Sequence, residues 1–182
     1  MRRILFATNN ERKVVEANAA CMDFEIEVVQ IKLLLDEIQS RDPIIISTDK
    51  AEKAFAMTNK PVVVTDTFWN IPALRGFPGA YMKDVNEWFG TSDFLNLMKD
   101  KADRRISFTE SVTYKDLMEI KIFSKEFWGD FAESPRGSGN PIEQLAKFNG
   151  ETIGEKRDKG NLSHDPKEYV WFDFAKWFIE KK

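Results

Sequence analysis

The stretch RILFATNNERK, Arg3–Lys13, decides the fold of this chain. The run RILFAT predicts a short buried strand that ends in a polar turn. Apolar residues at helical spacing follow, so a helix is expected to begin near Asn10. A helix N-terminus presents free N–H groups and the positive end of the helix dipole, which makes the turn a place where a phosphate can bind. The alternative is an ordinary N-cap with a surface lysine, because the glycines of a Walker loop are absent.

The pattern of strand, helix and strand continues along the first half of the chain. Phe24–Ile31 alternates and predicts the second strand, Pro43 is placed to open a helix that runs to Asn59, and Lys60–Thr67 predicts a third buried strand. The segment Phe68–Tyr81 is dense in glycine, proline and aromatic residues and predicts a structured loop.

The second half predicts antiparallel strands and further helices. The expected elements are a helix over Met82–Phe89, a helix over Ser92–Lys101 with Ser92 as N-cap, a hairpin of Arg105–Lys115 and Leu117–Gly129 that turns near Asp116, a loop over Glu133–Pro141, and an amphipathic helix over His164–Lys182 with Pro166 in its first turn. We expect the aromatic residues of that last helix to lie in the core. The order predicts an α/β fold with a mixed sheet and flanking helices, as one domain over residues 1–182.

Composition excludes several classes of protein. The net charge of −3, from 27 basic and 30 acidic residues, argues against non-specific binding of nucleic acid. Cys21 is the single cysteine, so neither a disulfide framework nor a cysteine zinc site is expected. The apolar run at the N-terminus is too short for a signal peptide, and no segment approaches a membrane span. We therefore expect a soluble protein of the cytoplasm with no membrane partner.

Two acidic segments are candidates for a metal site. Asp66 is expected at the carboxyl end of the third strand, where open α/β sheets bind ligands, and a carboxylate there suits Mg²⁺. A capping aspartate is the alternative. Asp36 and Glu37 interrupt an apolar stretch, and either is a possible second carboxylate or part of a solvated loop.

Five segments, taken in order, resemble the inosine triphosphate pyrophosphatase family, whose members hydrolyse irregular purine nucleoside triphosphates. They are ATNNERK (7–13), DEIQS (36–40), VVVTDT with ALRGFPGAYMK (62–83), SPRG (134–137) and KGNLSHD (159–165). The resemblance covers nearly the whole chain. It implies an elongated mixed sheet with helices forming two lobes around a central nucleotide cleft. It also implies Mg²⁺-dependent cleavage to a nucleoside monophosphate and pyrophosphate, and a homodimer.

The resemblance also assigns roles to individual residues. It implies that Thr8, Asn10 and Lys13 hold the triphosphate, that Lys50, Thr67 and Lys83 contact the substrate, and that Glu37 and Asp66 bind Mg²⁺. Asp66, with Glu37 and Lys13, would be catalytic. The segment near the end adds Lys159, Ser163, His164 and Asp165 as substrate contacts, with His164 expected at the base or sugar.

The chain departs from the family pattern at the base pocket. The PRG triplet runs straight into SGNP, so the expected stacking aromatic residue is missing and Asn140 replaces an aspartate. Asp165 stands where relatives have arginine. One hypothesis is that Asp165 accepts hydrogen bonds from a base whose edge carries donors, such as guanine. The other is that Asp165 only caps the final helix. A nucleotide-binding protein without turnover is the alternative from another class.

Overall fold

A computed structural model describes residues 2–160 and 165–181 of the chain. In chain order, its strands and helices are β1 (Arg2–Ala7), α1 (Glu11–Cys21), β2 (Ile26–Ile31), α2 (Pro43–Thr58), β3 (Val62–Ile71), β4 (Phe77–Gly79), α3 (Met82–Trp88), α4 (Thr91–Leu97), β5 (Arg105–Lys115), β6 (Ile120–Phe131), α5 (Pro141–Leu145), β7 (Ala146–Phe148), β8 (Glu151–Thr152), α6 (Ile153–Asp158) and α7 (Val170–Glu180).

The chain folds into two compact units. The first unit contains the described residues of 1–66, 110–125 and 164–182, and the second unit those of 67–109 and 126–163. The strands β3, β5 and β6 each contribute residues to both units. The expectation of one functional domain over 1–182 stays a prediction.

The first unit is built on parallel strand pairs. Strand β1 pairs in parallel with β2 along its whole length and with β3 at Leu5 and Phe6. Helix α7 covers this sheet, because the ring of Trp171 meets Phe6 edge-on at 4.9 Å. Trp171, Phe174 and Phe178 of α7 are buried, which confirms the prediction that the aromatic face of this helix belongs to the core.

The second unit is antiparallel around an aromatic core. Strand β4 pairs with the end of β3, and β7 pairs with both β6 and β8. The core includes Trp69, Phe94, Phe108, Phe131 and Phe148, all of which are buried. The mixed sheet with flanking helices confirms the predicted fold class.

Strand β3 is longer than predicted, and this corrects the expected position of Asp66. The strand runs to Ile71, so Asp66 lies in its interior and not at its carboxyl end. The extension is stabilised because Trp69 and Ile71 are buried and pair with Gly79 and Phe77 of β4. The predicted loop over Phe68–Tyr81 is therefore partly strand.

Two helix starts also differ from the prediction. Helix α4 begins at Thr91 with Gly90 as N-cap, whose N–H donates to the Asp93 carboxylate at 2.8 Å, so Ser92 lies inside the helix. Near the C-terminus, Pro166–Glu168 forms a 3₁₀ turn and α7 begins at Val170. The short elements α5, β7, β8 and α6 had no counterpart in the prediction.

Candidate active site

The turn between β1 and α1 has the predicted geometry of a helix N-terminus. Asn10 is the N-cap of α1, and its Oδ1 accepts the N–H of Arg12 at 3.0 Å. The hydroxyl of Thr8 accepts the N–H of Asn10 at 3.1 Å. These bonds hold the turn in place and leave Asn10 exposed at its tip.

Lys13 lies one turn inside α1 and points toward β3. Its Nζ donates to the hydroxyl of Thr65 at 3.3 Å. Burial lowers the pKa of Lys13, Asp66 acts in the opposite direction, and the neighbouring charge of Lys50 lowers it further. Lys13 and Lys50 therefore both interact with the carboxylate of Asp66, and two cations in one place suit a polyphosphate.

A second cluster connects α2 to β3 through Lys50. Its Nζ contacts Oε1 of Glu37 at 2.5 Å and lies 4.0 Å from Oδ2 of Asp66. The side chain of Lys50 is only 15% exposed, whereas Glu37 is 48% exposed on the loop before α2. One ammonium group thus faces both carboxylates that the sequence named as metal ligands.

The donor set at Glu37 and Asp66 fits Mg²⁺. This ion prefers oxygen ligands, keeps several waters and is commonly held by one or two carboxylates together with substrate phosphates. Over residues 2–160 and 165–181, no group of three or more acidic, histidine or cysteine side chains is arranged around a metal position. Glu37 and Asp66, which share Lys50, are the two carboxylates that the sequence named for such an ion.

Glu110 on β5 is a charged residue of this site that the sequence analysis did not name. Its Oε2 is buried and has no hydrogen-bond partner among residues 2–160 and 165–181. Burial raises the pKa of Glu110 to about 7, Lys13 acts to lower it, and Glu16 raises it further. The signal was present in the sequence: Glu110 interrupts a row of alternating, buried apolar residues formed by Ile106, Phe108, Val112 and Tyr114.

Three predicted substrate contacts lie in the second unit. Thr67 is half-buried on β3, and Lys83 is exposed in the first turn of α3. Lys159 is exposed and forms an ion pair with Glu151, and this bond raises the pKa of the lysine.

The SGNP segment, predicted to be a divergent loop of the base pocket, packs against α6. A methyl group on Gly137 would lie 2.2 Å from the carbonyl carbon of Gly154, and one on Gly139 would overlap the guanidinium of Arg157. The hydroxyl of Thr152, the N-cap of α6, donates to the carbonyl of Arg136 at 2.9 Å. The loop is thus fixed by backbone contacts that only glycine permits.

Asn140 ends this loop as the N-cap of α5. Its backbone N–H donates to the carboxylate of Glu143 at 2.9 Å, and Glu143 is also paired with Arg157 at 2.5 Å. The structure therefore places Asn140 beside an ion pair of the second unit.

The remaining predicted residues lie at the start of the C-terminal segment. Ser163 and His164 fall outside the described residues. Asp165 caps the 3₁₀ turn before α7, since its Oδ1 accepts the N–H of Lys167 at 2.9 Å. The capping hypothesis for Asp165 thus has direct geometric support.

Comparison with known proteins identifies one family that the chain resembles along most of its length. The sequence model described as the Ham1 family matches residues 4–178. The chain is 32% identical over 183 residues to a dITP/XTP pyrophosphatase of Methanosarcina mazei, with 98% of each chain covered. It is 30% identical over 162 residues to inosine triphosphate pyrophosphatase 1 of Trypanosoma cruzi, covering 86% of this chain and 82% of that protein.

A solved structure gives the same fold. A HAM1 protein from Coxiella burnetii superposes with a TM-score of 0.81 at 20% identity, over 100% of both chains. At that level of identity, the likeness shows the fold alone. No helix within the described part of the chain is long and apolar enough to cross a membrane.

Proposed function

The chain belongs to the Ham1 family, and from this membership we propose that it hydrolyses non-standard purine nucleoside triphosphates of the inosine and xanthosine type. The products are a nucleoside monophosphate and pyrophosphate. The protein is thus an enzyme, a hydrolase that acts on an acid anhydride, and its substrate is a small molecule.

The observation that carries this proposal is the arrangement of two lysines and two carboxylates in the first unit. Lys50 contacts Glu37 and faces Asp66, and Asp66 in turn acts on Lys13. Hydrolysis of a triphosphate needs positive charge for the phosphate oxygens and carboxylates for water and metal. The same four side chains supply both.

The reaction assigns a separate task to each group. Water attacks the α-phosphorus, the bond to the β-phosphoryl oxygen breaks, and pyrophosphate leaves with the electron pair. Lys13 and Lys50 stabilise the charge that develops on the phosphate oxygens. Asp66 orients the attacking water and accepts its proton, because its carboxylate lies near the two lysines that would hold the phosphates.

Mg²⁺ is proposed as the cofactor, with Glu37 and Asp66 as its protein ligands. When bound, such an ion polarises phosphate oxygens and lowers the pKa of the water beside it. Since Lys50 contacts the same two carboxylates, metal binding would free its ammonium group for the substrate. Thr8 and Asn10 would add hydrogen bonds from the start of α1.

The other predicted positions belong to the same proposal. Thr67 and Lys83 are assigned to substrate contacts, and the base end to a set comprising Asn140, Lys159, Ser163, His164 and Asp165. A homodimer and a cytoplasmic location are further parts of the proposal that follow from the family resemblance.

Turnover is the direct test. The purified protein is incubated with Mg²⁺ and a panel of ribo- and deoxyribonucleoside triphosphates, and the products are separated by chromatography. We expect monophosphate and pyrophosphate from inosine and xanthosine forms, and a loss of at least about a hundredfold in kcat for Asp66→Asn.

Asp36→Asn is the matched control. Asp36 is an exposed acidic residue directly before Glu37, and the bond that the structure gives it uses its backbone carbonyl, which accepts from Lys53 at 2.8 Å. Its replacement should leave kcat within about twofold. Preferential cleavage of a nucleotide whose base has a donor edge would mean the same reaction on a different base, with an altered base pocket. Binding without turnover would contradict an enzymatic role.

A further inference from the structure

Glu110 is a charged group of the first-unit cluster to which the reaction assigns no task. It stands on β5 among buried apolar residues, and its Oε2 is buried and finds no hydrogen-bond partner within the described part of the chain. Ser111, the next residue of β5, contacts β3: its hydroxyl donates to the backbone carbonyl of Asp66 at 3.5 Å. A buried carboxylate oxygen without a partner is costly, so the position of Glu110 near the proposed phosphate-binding Lys13 needs an explanation.

The charged groups that face Glu110 both come from α1. Lys13 attracts its carboxylate and Glu16 repels it. The ammonium group of Lys13 is in turn acted on by Asp66 of β3 and Lys50 of α2. Lys13 is therefore the cation that offsets the charge of Glu110, and it is also the cation proposed to bind the triphosphate.

These two roles of Lys13 compete. A nucleoside triphosphate brings several negative charges to the position of Lys13, and an ionised Glu110 nearby repels them. Repulsion between anions favours the neutral form of the carboxyl group. Substrate binding and ionisation of Glu110 therefore oppose one another.

We propose that Glu110 is a positioning residue that regulates the charge available at Lys13: the ionised carboxylate occupies Lys13, and the protonated carboxyl group releases it to the polyphosphate. Substrate binding is then coupled to the uptake of a proton by Glu110. Burial raises the pKa of Glu110 to about 7, so the exchange falls in the physiological range. The inference rests on the proposed function, because it requires that Lys13 binds the substrate phosphates.

The experiment compares KM and kcat for inosine triphosphate with Mg²⁺ between pH 6 and 8.5. For the wild-type protein we expect KM to rise about tenfold over this range, with a smaller change in kcat, as the ionised form of Glu110 becomes dominant. Glu110→Gln retains the shape of the side chain without its charge and should keep a low KM throughout. The titration of the substrate itself is common to both proteins and cancels in their ratio.

Glu16→Gln is the second variant, and it leaves Glu110 in place. Because Glu16 raises the pKa of Glu110, removing its charge should move the rise of KM to lower pH. This variant also keeps the proposal testable if Glu110→Gln folds poorly. A purely structural role for Glu110 would change the unfolding temperature but not the pH profile of KM.

Calorimetry gives a readout that is independent of turnover. Binding of an α,β-imido analogue of inosine triphosphate with Mg²⁺ is measured at pH 7 in buffers of different ionisation enthalpy. We expect the wild-type protein to take up a fraction of a proton more than Glu110→Gln. A pH profile of KM shared by the wild-type protein and Glu110→Gln, or equal proton uptake, would overturn the inference while leaving the function intact. Failure of the wild-type protein to bind or hydrolyse any nucleotide would instead overturn the proposed function.

Discussion

Replacing Gly137 by alanine tests whether the loop before α5 is held by backbone contact with α6. Gly137 has a φ of +71°, and a methyl group there would lie 2.2 Å from the carbonyl carbon of Gly154 and 2.3 Å from the amide nitrogen of Glu155. Both are backbone atoms, so neither can rotate away. Gly150 is the matched control, since its φ is +89° and a methyl group there would meet nothing within 4 Å.

The two substitutions share one cost and differ in another. Alanine in the left-handed region costs roughly 1–2 kcal/mol at either position, and both variants gain similarly from a stiffer unfolded chain. At Gly137 the clash adds roughly 1–3 kcal/mol or more, as overpacking does in protein cores. The difference between the variants, about 2 kcal/mol, therefore isolates the contact with α6.

Thermal and urea unfolding of the two variants measure this difference. For a chain of this size, 1 kcal/mol corresponds to roughly 2–4 °C in Tm, so Gly137→Ala should unfold roughly 4–8 °C below Gly150→Ala. The urea midpoints should fall in the same order. Equal stabilities would refute the claim that the loop packs on α6 through its backbone.

Three further predictions concern charge and capping. Chelation should abolish turnover but shift Tm by less than about 2 °C, because Lys50 already offsets part of the charge of the two carboxylates without metal; a large fall in Tm on addition of EDTA would contradict this. Glu110 has a folded-state pKa of about 7 against the ordinary 4.5. The stability that comes from its raised pKa is therefore present in full below about pH 4.5 and is lost as the pH rises through 7. Urea titrations at pH 5 and 8 should therefore show Glu110→Gln more stable relative to wild type at pH 8 than at pH 5, by up to about 3 kcal/mol. Asp165→Ala should cost about 1 kcal/mol through the lost cap and leave the ranking of nucleotide substrates unchanged; an altered ranking would make Asp165 a base contact.

Local patterns were sufficient for most of the first half of the chain. Strand β1, the cap at Asn10 and the helix that Pro43 opens each depend on residues next to one another, and each lies where the pattern predicted. The hairpin of β5 and β6 turns at Asp116, as expected. These elements could be predicted because periodicity and capping are local properties.

Two other elements, the β7–β8 hairpin and the end of β3, show where local patterns were overlooked or overridden. The hairpin of β7 and β8 turns at Asn149 and Gly150, both with positive φ, and an Asn-Gly pair is a strong hairpin signal that the sequence analysis did not use. Strand β3 was cut short at Thr67 because its continuation looks like a loop rich in glycine and proline. Its pairing with β4 extends the strand to Ile71, and this pairing is a tertiary contact that the local pattern does not show.

The candidate site divides in the same way. Lys13, Glu37, Lys50 and Asp66 were named from the sequence, and the structure brings them together. Their functional roles stay predictions, as do those of the residues assigned to the base. Glu110 was missed because an acidic residue in a strand normally faces water, whereas the folded chain buries one of its carboxylate oxygens and places its charge near Lys13 and Glu16 of α1.

The sequence by itself determined the identity of the elements, the family and the residue types needed for phosphate and metal chemistry, because these follow from periodicity, capping and motifs along the chain. The tertiary structure decided which charges meet. Lys50 shared by two carboxylates, Lys13 beside a buried Glu110 and a loop fixed against α6 by Gly137 all join residues far apart in sequence. Burial and distance set the strength of a charge interaction, and neither can be known before the chain is folded.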